Sequence, residues 1–422
     1  MARTNLRGVR IVLFTGKGGV GKTTLAAATA VHGATQGHRT LLISADSAHS
    51  VGDVLGLTPA QNNGWLGEPI AVCENLYAVH VDTRRRLEHS WGEVSAWLLS
   101  AFEGAGVDPV QAEELIVPPG ADELLVLLEL LDHARSDRWD FIVVDCAPSG
   151  ETLRLLALPE VFEWYLRRML PGARGLLRGF APTLARAAGL PIPDPATFLA
   201  VDRITTELKS ARQMLESPDT TVRLILTPES VVVAETRRTL SALSLFGQRV
   251  DGVVVNRVFP DGSGDAWRAS WISAQREQLR DIADSFASIP IWTTPYLDGE
   301  PRGVDALAGV AKEVYGDEDP AARSGVAAPT RVRAVDGGYE LEFSVPFVAR
   351  EDIGVVRVGD DVVVTVTTTR RVFALPAALR RCKIRGAFVA DGLLRVRFRA
   401  GTSDGASTVS PPSRTSDPRA AS

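Results

Sequence analysis

A glycine-rich run near the start of the chain has the residue types that hold phosphate groups. Its sequence is G-K-G-G-V-G-K-T (residues 16–23), and it lies between the apolar residues 11–14 and the helix-forming residues 24–28. Glycines let backbone N–H groups come close to phosphate oxygens, since a Cβ would block the approach. Lys22 would then reach the β- and γ-phosphates, and the Thr23 hydroxyl would be a ligand of Mg²⁺. The strand–loop–helix context predicts a phosphate-binding loop rather than a chance match in a turn. The residues that we expect to contact a nucleotide here are Gly16, Lys17, Gly18, Gly19, Val20, Gly21, Lys22, Thr23 and Thr24.

Two aspartates that follow apolar runs would complete this phosphate chemistry. Asp145 ends the run 141–144, where a Walker B carboxylate would hold Mg²⁺ through water. Asp46 follows the run 39–44, and a carboxylate there would orient the water that attacks a γ-phosphate. From the residues alone, Asp46 fits a loop or helix-capping aspartate equally well.

Apolar runs with the character of buried strands alternate with helical segments along most of the chain. Each run is continuous and mostly β-branched, which is typical of strands covered on both faces in a parallel sheet. These runs are residues 11–14, 39–44, 141–144, 224–226 and 253–255. A weaker run, 289–292, contains Pro290 and is predicted to be an edge strand. The alternation predicts an α/β fold with a doubly wound, mostly parallel sheet, which binds ligands at the carboxyl ends of its strands.

The α/β domain is expected to span residues 1–316 and to contain one interruption. Residues from about 160 to 200 are rich in Leu, Arg and Pro and break the alternation of strands and helices. We interpret them as an inserted helical subdomain. Its apolar helix faces would be either ordinary core or a groove for a client helix, and periodicity favours neither.

The last part of the chain has a different pattern. Residues 317–330 have the composition of a linker, and apolar and polar residues then alternate with a period of two through residues 331–400. Turn dipeptides such as Asp336-Gly337 and Asp391-Gly392 separate the alternating runs. This pattern predicts a small all-β sandwich. Residues 401–422 are rich in Ser, Thr, Pro and Gly and are predicted to be disordered.

Composition excludes several classes of protein. The chain has 422 residues and a net charge of -5, and it contains no basic block that would suggest a nucleic-acid partner. Its start lacks the apolar segment of a signal peptide, and no stretch approaches the ~20 apolar residues of a membrane span. The cysteines Cys73, Cys146 and Cys382 form no C-x-x-C pair, which argues against a disulfide framework or a local zinc site. We therefore expect a cytoplasmic protein without an intrinsic membrane span.

The position of a second lysine in the loop points to a particular group of ATPases. Lys17 directly follows the first glycine, and the form K-G-G-V-G-K-T resembles the deviant Walker A motif of the MinD, ParA, nitrogenase iron protein and ArsA group. The resemblance implies that Lys17 reaches across a dimer interface to the nucleotide of the partner. A solvated lysine beside a phosphate site is the simpler interpretation.

Several further segments resemble the ArsA/Get3-type ATPases in the right order. The segment D-S-A-H-S (residues 46–50) resembles the D-P-A-H-N switch I of these proteins, with Ser47 and Ser50 as departures. The segment 145–156 resembles their switch II, with Cys146 in place of threonine. Additional similar segments are residues 118–124, 227–237, 255–257 and 295–303. The resemblance covers residues 9 to 315.

This resemblance implies roles for named residues. Asp46 is similar to the residue that activates the hydrolytic water, and it is the predicted catalytic group together with Lys17 and Lys22. Glu229 and Asn256 match nucleotide contacts, with Asn256 on the adenine side, where its amide can both donate and accept. Pro295 would line the base. The implied ligands are ATP and Mg²⁺, the latter held by Thr23 and Asp145.

The β-rich region also carries a resemblance. The pattern G-D-x-V-V-V…R-R…L-P, found in residues 359–376, resembles the α-crystallin or small-heat-shock-like domain attached to some ArsA/Get3 relatives. Such a domain would handle clients, or would serve only for dimerisation or packing.

Three departures limit what the resemblance implies. The chain lacks the C-x-x-C zinc site of eukaryotic-type members, has only three methionines for a client groove, and contains one P-loop where the arsenite-pump members contain two. Cys146 is expected to be a small buried residue rather than a metal ligand.

Function at this point is predicted as follows. The sequence predicts a Mg²⁺-dependent ATPase and homodimer, whose nucleotide-driven opening and closing handles an apolar protein client in targeting or as a chaperone. The alternative is the energising subunit of an arsenite or anion efflux pump, with a membrane transporter as partner. A positioning switch like ParA or MinD is disfavoured, because neither a basic DNA-binding patch nor a terminal amphipathic helix is visible.

Overall fold

The computed structural model describes residues 8–45, 50–58, 67–81, 121–169, 195–262, 265–323 and 330–400. The chain divides into two compact units, residues 1–327 and residues 328–422. Each unit has a different architecture.

The first unit alternates strands and helices. In chain order its described elements are β1 (Arg10–Gly16), α1 (Lys22–Thr35), β2 (Thr40–Ser44), α2 (Ser50–Leu55), β3 (Ile70–Cys73), β4 (Leu76–His80), α3 (Ala121–Arg135), β5 (Phe141–Asp145), α4 (Ser149–Met169), α5 (Pro195–Glu216), β6 (Thr220–Leu226), α6 (Ser230–Leu245), β7 (Val250–Val258), α7 (Ala266–Ser285), β8 (Ile291–Pro295) and α8 (Val304–Tyr315).

The strands form one eight-stranded sheet. Its order is β3-β4-β2-β5-β1-β6-β7-β8, and every neighbouring pair is parallel except β3 with β4. The central strands β1, β5 and β6 are buried along their whole length, as expected for strands covered on both faces. The predicted doubly wound, mostly parallel sheet is confirmed, and so is the edge position of β8, which begins directly after Pro290.

A buried ionic network joins the three strands β1, β6 and β7. Arg10 and Arg223 each donate to the Asp251 carboxylate, at 2.8 Å and 2.9 Å respectively. Arg223 also donates to the Tyr315 hydroxyl at 2.9 Å, and its guanidinium lies 4.9 Å from the ring centroid of Trp292. The network therefore ties the sheet to the end of α8.

The segment after α8 is held against the sheet unit. Trp292 donates from Nε1 to the Glu318 carboxylate at 3.2 Å, and Arg223 donates to the carbonyl oxygen of Pro320 at 3.3 Å. His38 lies 3.1 Å from the Asp319 carboxylate. The first residues of the predicted linker, 317–330, thus contact the first unit.

The predicted insertion at about 160–200 lies partly outside the described residues. Helix α4 enters it and helix α5 leaves it, and residues 170–194 between them are not described. Among the helices that the structure describes, none is both long and apolar enough to cross a membrane.

The second unit consists of two antiparallel sheets. Its elements are β9 (Arg331–Val335), β10 (Gly338–Ser344), a 3₁₀ turn (Arg350–Asp352), β11 (Ile353–Val358), β12 (Asp361–Val366), β13 (Thr369–Ala374), α9 (Ala377–Arg380), β14 (Cys382–Ala390) and β15 (Leu393–Ala400). One sheet has the order β14-β15-β10-β9 and the other β11-β12-β13. Phe343 and Phe373 meet edge-to-face between the sheets, with ring centroids 5.6 Å apart. The predicted all-β sandwich is confirmed.

Candidate nucleotide site

The glycine-rich loop connects β1 to α1 at the carboxyl end of β1, as the sequence predicts. Gly19 and Gly21 have φ angles of 82° and 94°, a left-handed conformation that favours glycine. A Cβ added at Gly21 would lie 2.3 Å from Nδ2 of Asn256, and one at Gly16 would lie 2.1 Å from the carbonyl oxygen of Ile225. Glycine is therefore favoured by packing at Gly16, by conformation at Gly19, and by both at Gly21.

The opposite side of the loop is open. A Cβ added at Gly18 or Gly19 would meet no atom within 4 Å in the part of the chain that the structure describes. An open loop rich in backbone N–H groups at a helix N-terminus is a suitable cradle for phosphate. The predicted nucleotide contacts along this loop, from Gly16 to Thr24, remain a prediction.

Two side chains at the start of α1 lie beside this cradle. Lys22 is buried, and its Nζ donates to the carbonyl oxygen of Lys17 at 3.3 Å. The ammonium group is therefore folded back along the loop. The Thr23 hydroxyl lies 3.4 Å from the hydroxyl of Ser50, the first residue of α2, so the last residue of the predicted switch I is next to the predicted Mg²⁺ ligand.

Asp145 ends β5, the strand next to β1. Its Cα is in register with that of Phe14, two residues before the loop begins, and its side chain is fully buried. The following residue, Cys146, is also buried. Burial and the neighbouring Asp145 charge raise the pKa of the Cys146 thiol, so it stays protonated and is a poor metal ligand.

The loop after β5 is fastened to its surroundings by hydroxyl groups that the sequence analysis did not single out. Thr15 donates to the Thr152 hydroxyl at 3.0 Å, and Thr152 donates to the carbonyl oxygen of Ala147 at 2.8 Å. Ser149 donates to the Glu235 carboxylate at 3.0 Å. The predicted switch II segment is thus hydrogen-bonded both to the strand that enters the phosphate loop and to α6. The available signal in the sequence was Thr152, a buried threonine inside the predicted switch II segment. Its partner Thr15 is 137 residues away in the chain.

Asn256 links β7 and β8 to the phosphate loop. Its Nδ2 donates to the carbonyl oxygen of Val20 at 2.7 Å, and its Oδ1 accepts from the Thr294 hydroxyl at 2.9 Å. Oδ1 also accepts from the backbone N–H of Arg257 at 2.9 Å, and Arg257 has a φ of 62°. The amide therefore positions the loop, a role that the sequence analysis missed. Its predicted contact with adenine remains a prediction.

The remaining predicted site residues lie at the same edge of the sheet, with one exception. Glu229 follows β6 at the start of α6, is exposed, and accepts from the Thr227 hydroxyl at 3.0 Å. Pro295 ends β8. Asp46, the predicted water-activating residue, lies outside the described residues, which stop at residue 45 and resume at residue 50.

The residues present fit ATP and a magnesium ion. The open loop supplies backbone donors, Lys22 a cation, and Thr23 and Asp145 the oxygen ligands that a hard cation prefers. Among the described residues, no group of three His, Cys, Asp or Glu side chains is placed to hold a metal ion. Mg²⁺ keeps several waters and binds through one or two protein ligands plus substrate phosphates, and Thr23 and Asp145 would be the protein ligands here.

Comparison with known proteins decides the family. A family model described as anion-transporting ATPase matches residues 9–316. The chain belongs to this family. A second model, the HSP20-like domain found in ArsA, matches residues 336–398 of the same ATPase. Both resemblances and the predicted enzyme class, an ATPase, are confirmed.

Relatives with similar sequences cover most of this ATPase. The "Putative arsenical pump-driving ATPase 1" of Aquifex aeolicus (strain VF5) is 32% identical over 377 residues, which cover 88% of this chain and 95% of the relative. The "Putative arsenical pump-driving ATPase" of Chlorobaculum tepidum is 33% identical over 395 residues, with coverage of 92% and 96%. The "ATPase ASNA1 homolog 1" of Paramecium tetraurelia is 28% identical over 302 residues, with coverage of 69% and 88%. Two of these names refer to an arsenical pump, and the third states only an ATPase.

Proposed function

We propose that this ATPase binds ATP with Mg²⁺ and works as a homodimer that opens and closes with the state of the nucleotide. The dimer handles an apolar protein client, either in protein targeting or as a chaperone. The observation that carries the proposal is the K-G-G-V-G-K-T loop in its strand–loop–helix setting. Lys22 is folded along its own loop, and Lys17 is half-buried at the start of the loop, directly after β1, where we propose that it reaches a second subunit.

The mechanism assigns a task to each part of the site. Backbone N–H groups of the loop and the Lys22 ammonium bind the β- and γ-phosphates. Thr23 and Asp145 would hold Mg²⁺, which neutralises charge on the phosphate oxygens when it is bound. Asp46 orients the attacking water, and Lys17 of the partner subunit stabilises charge that develops on the transferred group. Asn256 and Pro295 position the base.

The hydrogen bonds around switch II supply a route from the phosphate site to the rest of the unit. The Thr15–Thr152 and Ser149–Glu235 bonds connect the loop after β5 to β1 and to α6. We propose that loss of the γ-phosphate rearranges this loop and that the change passes to α6. The opening of the dimer after hydrolysis follows from that change.

A trapped complex tests the client role. Asp46→Asn protein, loaded with ATP in a cell extract and recovered, should retain nucleotide because its phosphate cradle is intact. Its bound proteins are then identified by mass spectrometry, with Lys22→Ala protein as the control that cannot hold ATP. Enrichment of proteins with one apolar helix, or of unfolded soluble proteins, in the Asp46→Asn sample alone supports client handling. Normal hydrolysis by Asp46→Asn protein would contradict the assigned role of Asp46.

A second candidate, an ATPase that drives an arsenite or anion pump, is favoured by the printed names of two relatives. The described cysteines give it little support. Cys73 lies on the edge strand β3 and Cys146 follows β5, with β4 and β2 between these strands, and Cys382 belongs to the other unit. Faster ATP hydrolysis with added arsenite, and recovery of a single integral membrane protein in the trap, would favour the pump.

A further inference from the structure

Four aromatic residues form an exposed cluster on the first unit, which we call the aromatic patch. Its members are Phe259, Trp267, Trp271 and Tyr296. The exposed fraction is 65% for Trp267, 49% for Tyr296 and 42% for Trp271. Large aromatic side chains bury 150–250 Å² when covered, so the patch offers roughly 400 Å² of apolar surface. A contiguous patch of about that size matches the largest that a typical monomer leaves exposed, and a monomer's largest patch is often functional.

The rings of the patch are organised by contacts within the unit. Phe259 and Tyr296 are stacked, with centroids 5.1 Å apart and planes 4° apart, and Trp267 lies 6.2 Å from Trp271 and 6.4 Å from Phe259. Gln275 accepts from the backbone N–H of Phe259 at 2.8 Å. A patch held in shape in this way loses little conformational entropy when a partner covers it.

The patch lies at the nucleotide edge of the sheet. Phe259 directly follows β7 and Tyr296 directly follows β8, and the backbone N–H of Tyr296 donates to the carbonyl oxygen of Val258 at 2.8 Å. Asn256, three residues before Phe259, donates to the carbonyl oxygen of Val20 in the phosphate loop. A subunit that approaches this loop closely enough to receive Lys17 therefore also approaches the patch.

The charges around the patch suit pairing with a second copy. Asp261 and Arg276 form an ion pair of 2.7 Å beside it, and Asp265 caps the helix that carries both tryptophans. An apolar centre with a polar rim is the usual anatomy of an interface, and a rim that carries both signs of charge avoids like-charge repulsion between two identical surfaces. A stable interface needs about 800 Å² per partner, so the patch alone supplies roughly half and the nucleotide edge must supply the rest.

We propose that the aromatic patch is buried against a second copy of this chain in the ATP-bound dimer. The proposal rests on the proposed nucleotide-driven dimer and names the residues that give it apolar contact area. Since the patch supplies only about half of the area that a stable interface needs, we expect dimerisation to require bound nucleotide as well as the patch.

Sedimentation of the full chain tests this inference. Unaltered protein, the double variant Trp267→Ser/Trp271→Ser and the control Leu199→Ser are compared without nucleotide and with ADP, aluminium fluoride and Mg²⁺. Leu199 is 71% exposed on α5, so its substitution removes a similarly accessible apolar side chain elsewhere in the unit. Nucleotide affinity is measured in parallel with a fluorescent ATP analogue. Should the double variant fail to fold, the single variant Trp267→Ser replaces it.

The outcomes separate the patch from the proposed function. The proposal for the patch is supported by two results together. Unaltered protein and Leu199→Ser form a dimer only with nucleotide, and the tryptophan variant forms that dimer at least tenfold more weakly while its nucleotide affinity is unchanged. Equal dimerisation by the tryptophan variant overturns the patch and leaves the proposed function standing. Unaltered protein that stays monomeric in every nucleotide state contradicts both. A dimer that is independent of nucleotide, but is lost in the tryptophan variant, places the patch in the interface and contradicts the requirement for nucleotide in both proposals.

Discussion

At the scale of single residues, the phosphate loop depends on a side chain far from it in sequence. The Asn256 amide spans the gap between the Val20 carbonyl and the Thr294 hydroxyl, so it connects the loop to two neighbouring strands. The glycine run predicts the loop by itself, because its spacing is local. The anchoring role of Asn256 was not predictable, because only the folded sheet brings residue 256 next to residue 20.

Replacement of this anchor should weaken ATP binding. Asn256→Ala leaves the carbonyl of the buried Val20 without its side-chain donor, which costs about 1–3 kcal/mol and should lower ATP affinity by about 5- to 150-fold. Thr294→Val is the matched control, because it removes a hydrogen bond to Asn256 but keeps the bond to the loop. We expect its affinity to stay within about threefold of the unaltered protein. Equal losses in both variants, measured by nucleotide titration, would refute the anchoring role.

Thiol reactivity tests the assignment of Cys146. Burial raises the pKa of this thiol and also that of Cys73, but Cys73 is only half-buried, whereas Cys146 is 1% exposed. The thiolate is the reactive form, so an alkylating reagent at neutral pH should modify Cys73 first and Cys146 only after unfolding. Cys73→Ser should remove the fast phase, as followed by mass spectrometry. Rapid modification of Cys146 in folded protein would show that it is an accessible, reactive thiol.

At the scale of helices and strands, the sequence predicted the central strands of the sheet well. It predicted neither the strands β3 and β4 nor the charged residues that are buried inside the sheet. Six of the strands were predicted from continuous apolar runs. The strands β3 and β4 were missed; β3 is a partly exposed edge strand, and β4 includes Tyr77 and His80 among its apolar residues. Arg10 and Arg223 sit inside strands that apolar runs define, and hydrophobic patterning gives no reason to expect a buried arginine there. Their common partner, Asp251, is 241 residues from Arg10.

The buried network should contribute strongly to stability. Asp251→Ala leaves two buried guanidinium groups without their carboxylate and should lower the free energy of unfolding by about 3–5 kcal/mol. Asp140→Ala removes an exposed ion pair with Arg39 and is the control, with an expected loss of about 1 kcal/mol or less. Urea unfolding of both variants measures the difference. Similar small losses would mean that the network is not a major source of stability.

At the scale of the whole molecule, a member of the anion-transporting ATPase family carries an HSP20-like unit after its sheet domain. The two units differ in architecture as the sequence predicts, because patterns of period two and of continuous apolar runs separate cleanly along the chain. In the proposed mechanism, what the molecule does with ATP depends on a second subunit, and Lys17 and the aromatic patch are the features of the single chain that support this proposal.

The most direct test of this account is a mixing experiment with two inactive variants. Lys17→Ala keeps Asp46 but cannot supply a lysine to its partner, and Asp46→Asn keeps Lys17 but cannot activate water. In a mixed dimer, the site on the Lys17→Ala subunit would have its own Asp46 and the partner's Lys17. If the lysine acts across the interface, an equimolar mixture should recover about a quarter of the unaltered hydrolysis rate, because half of the dimers are mixed and each has one working site. A mixture no more active than its two components, each of which still binds ATP, would contradict the account.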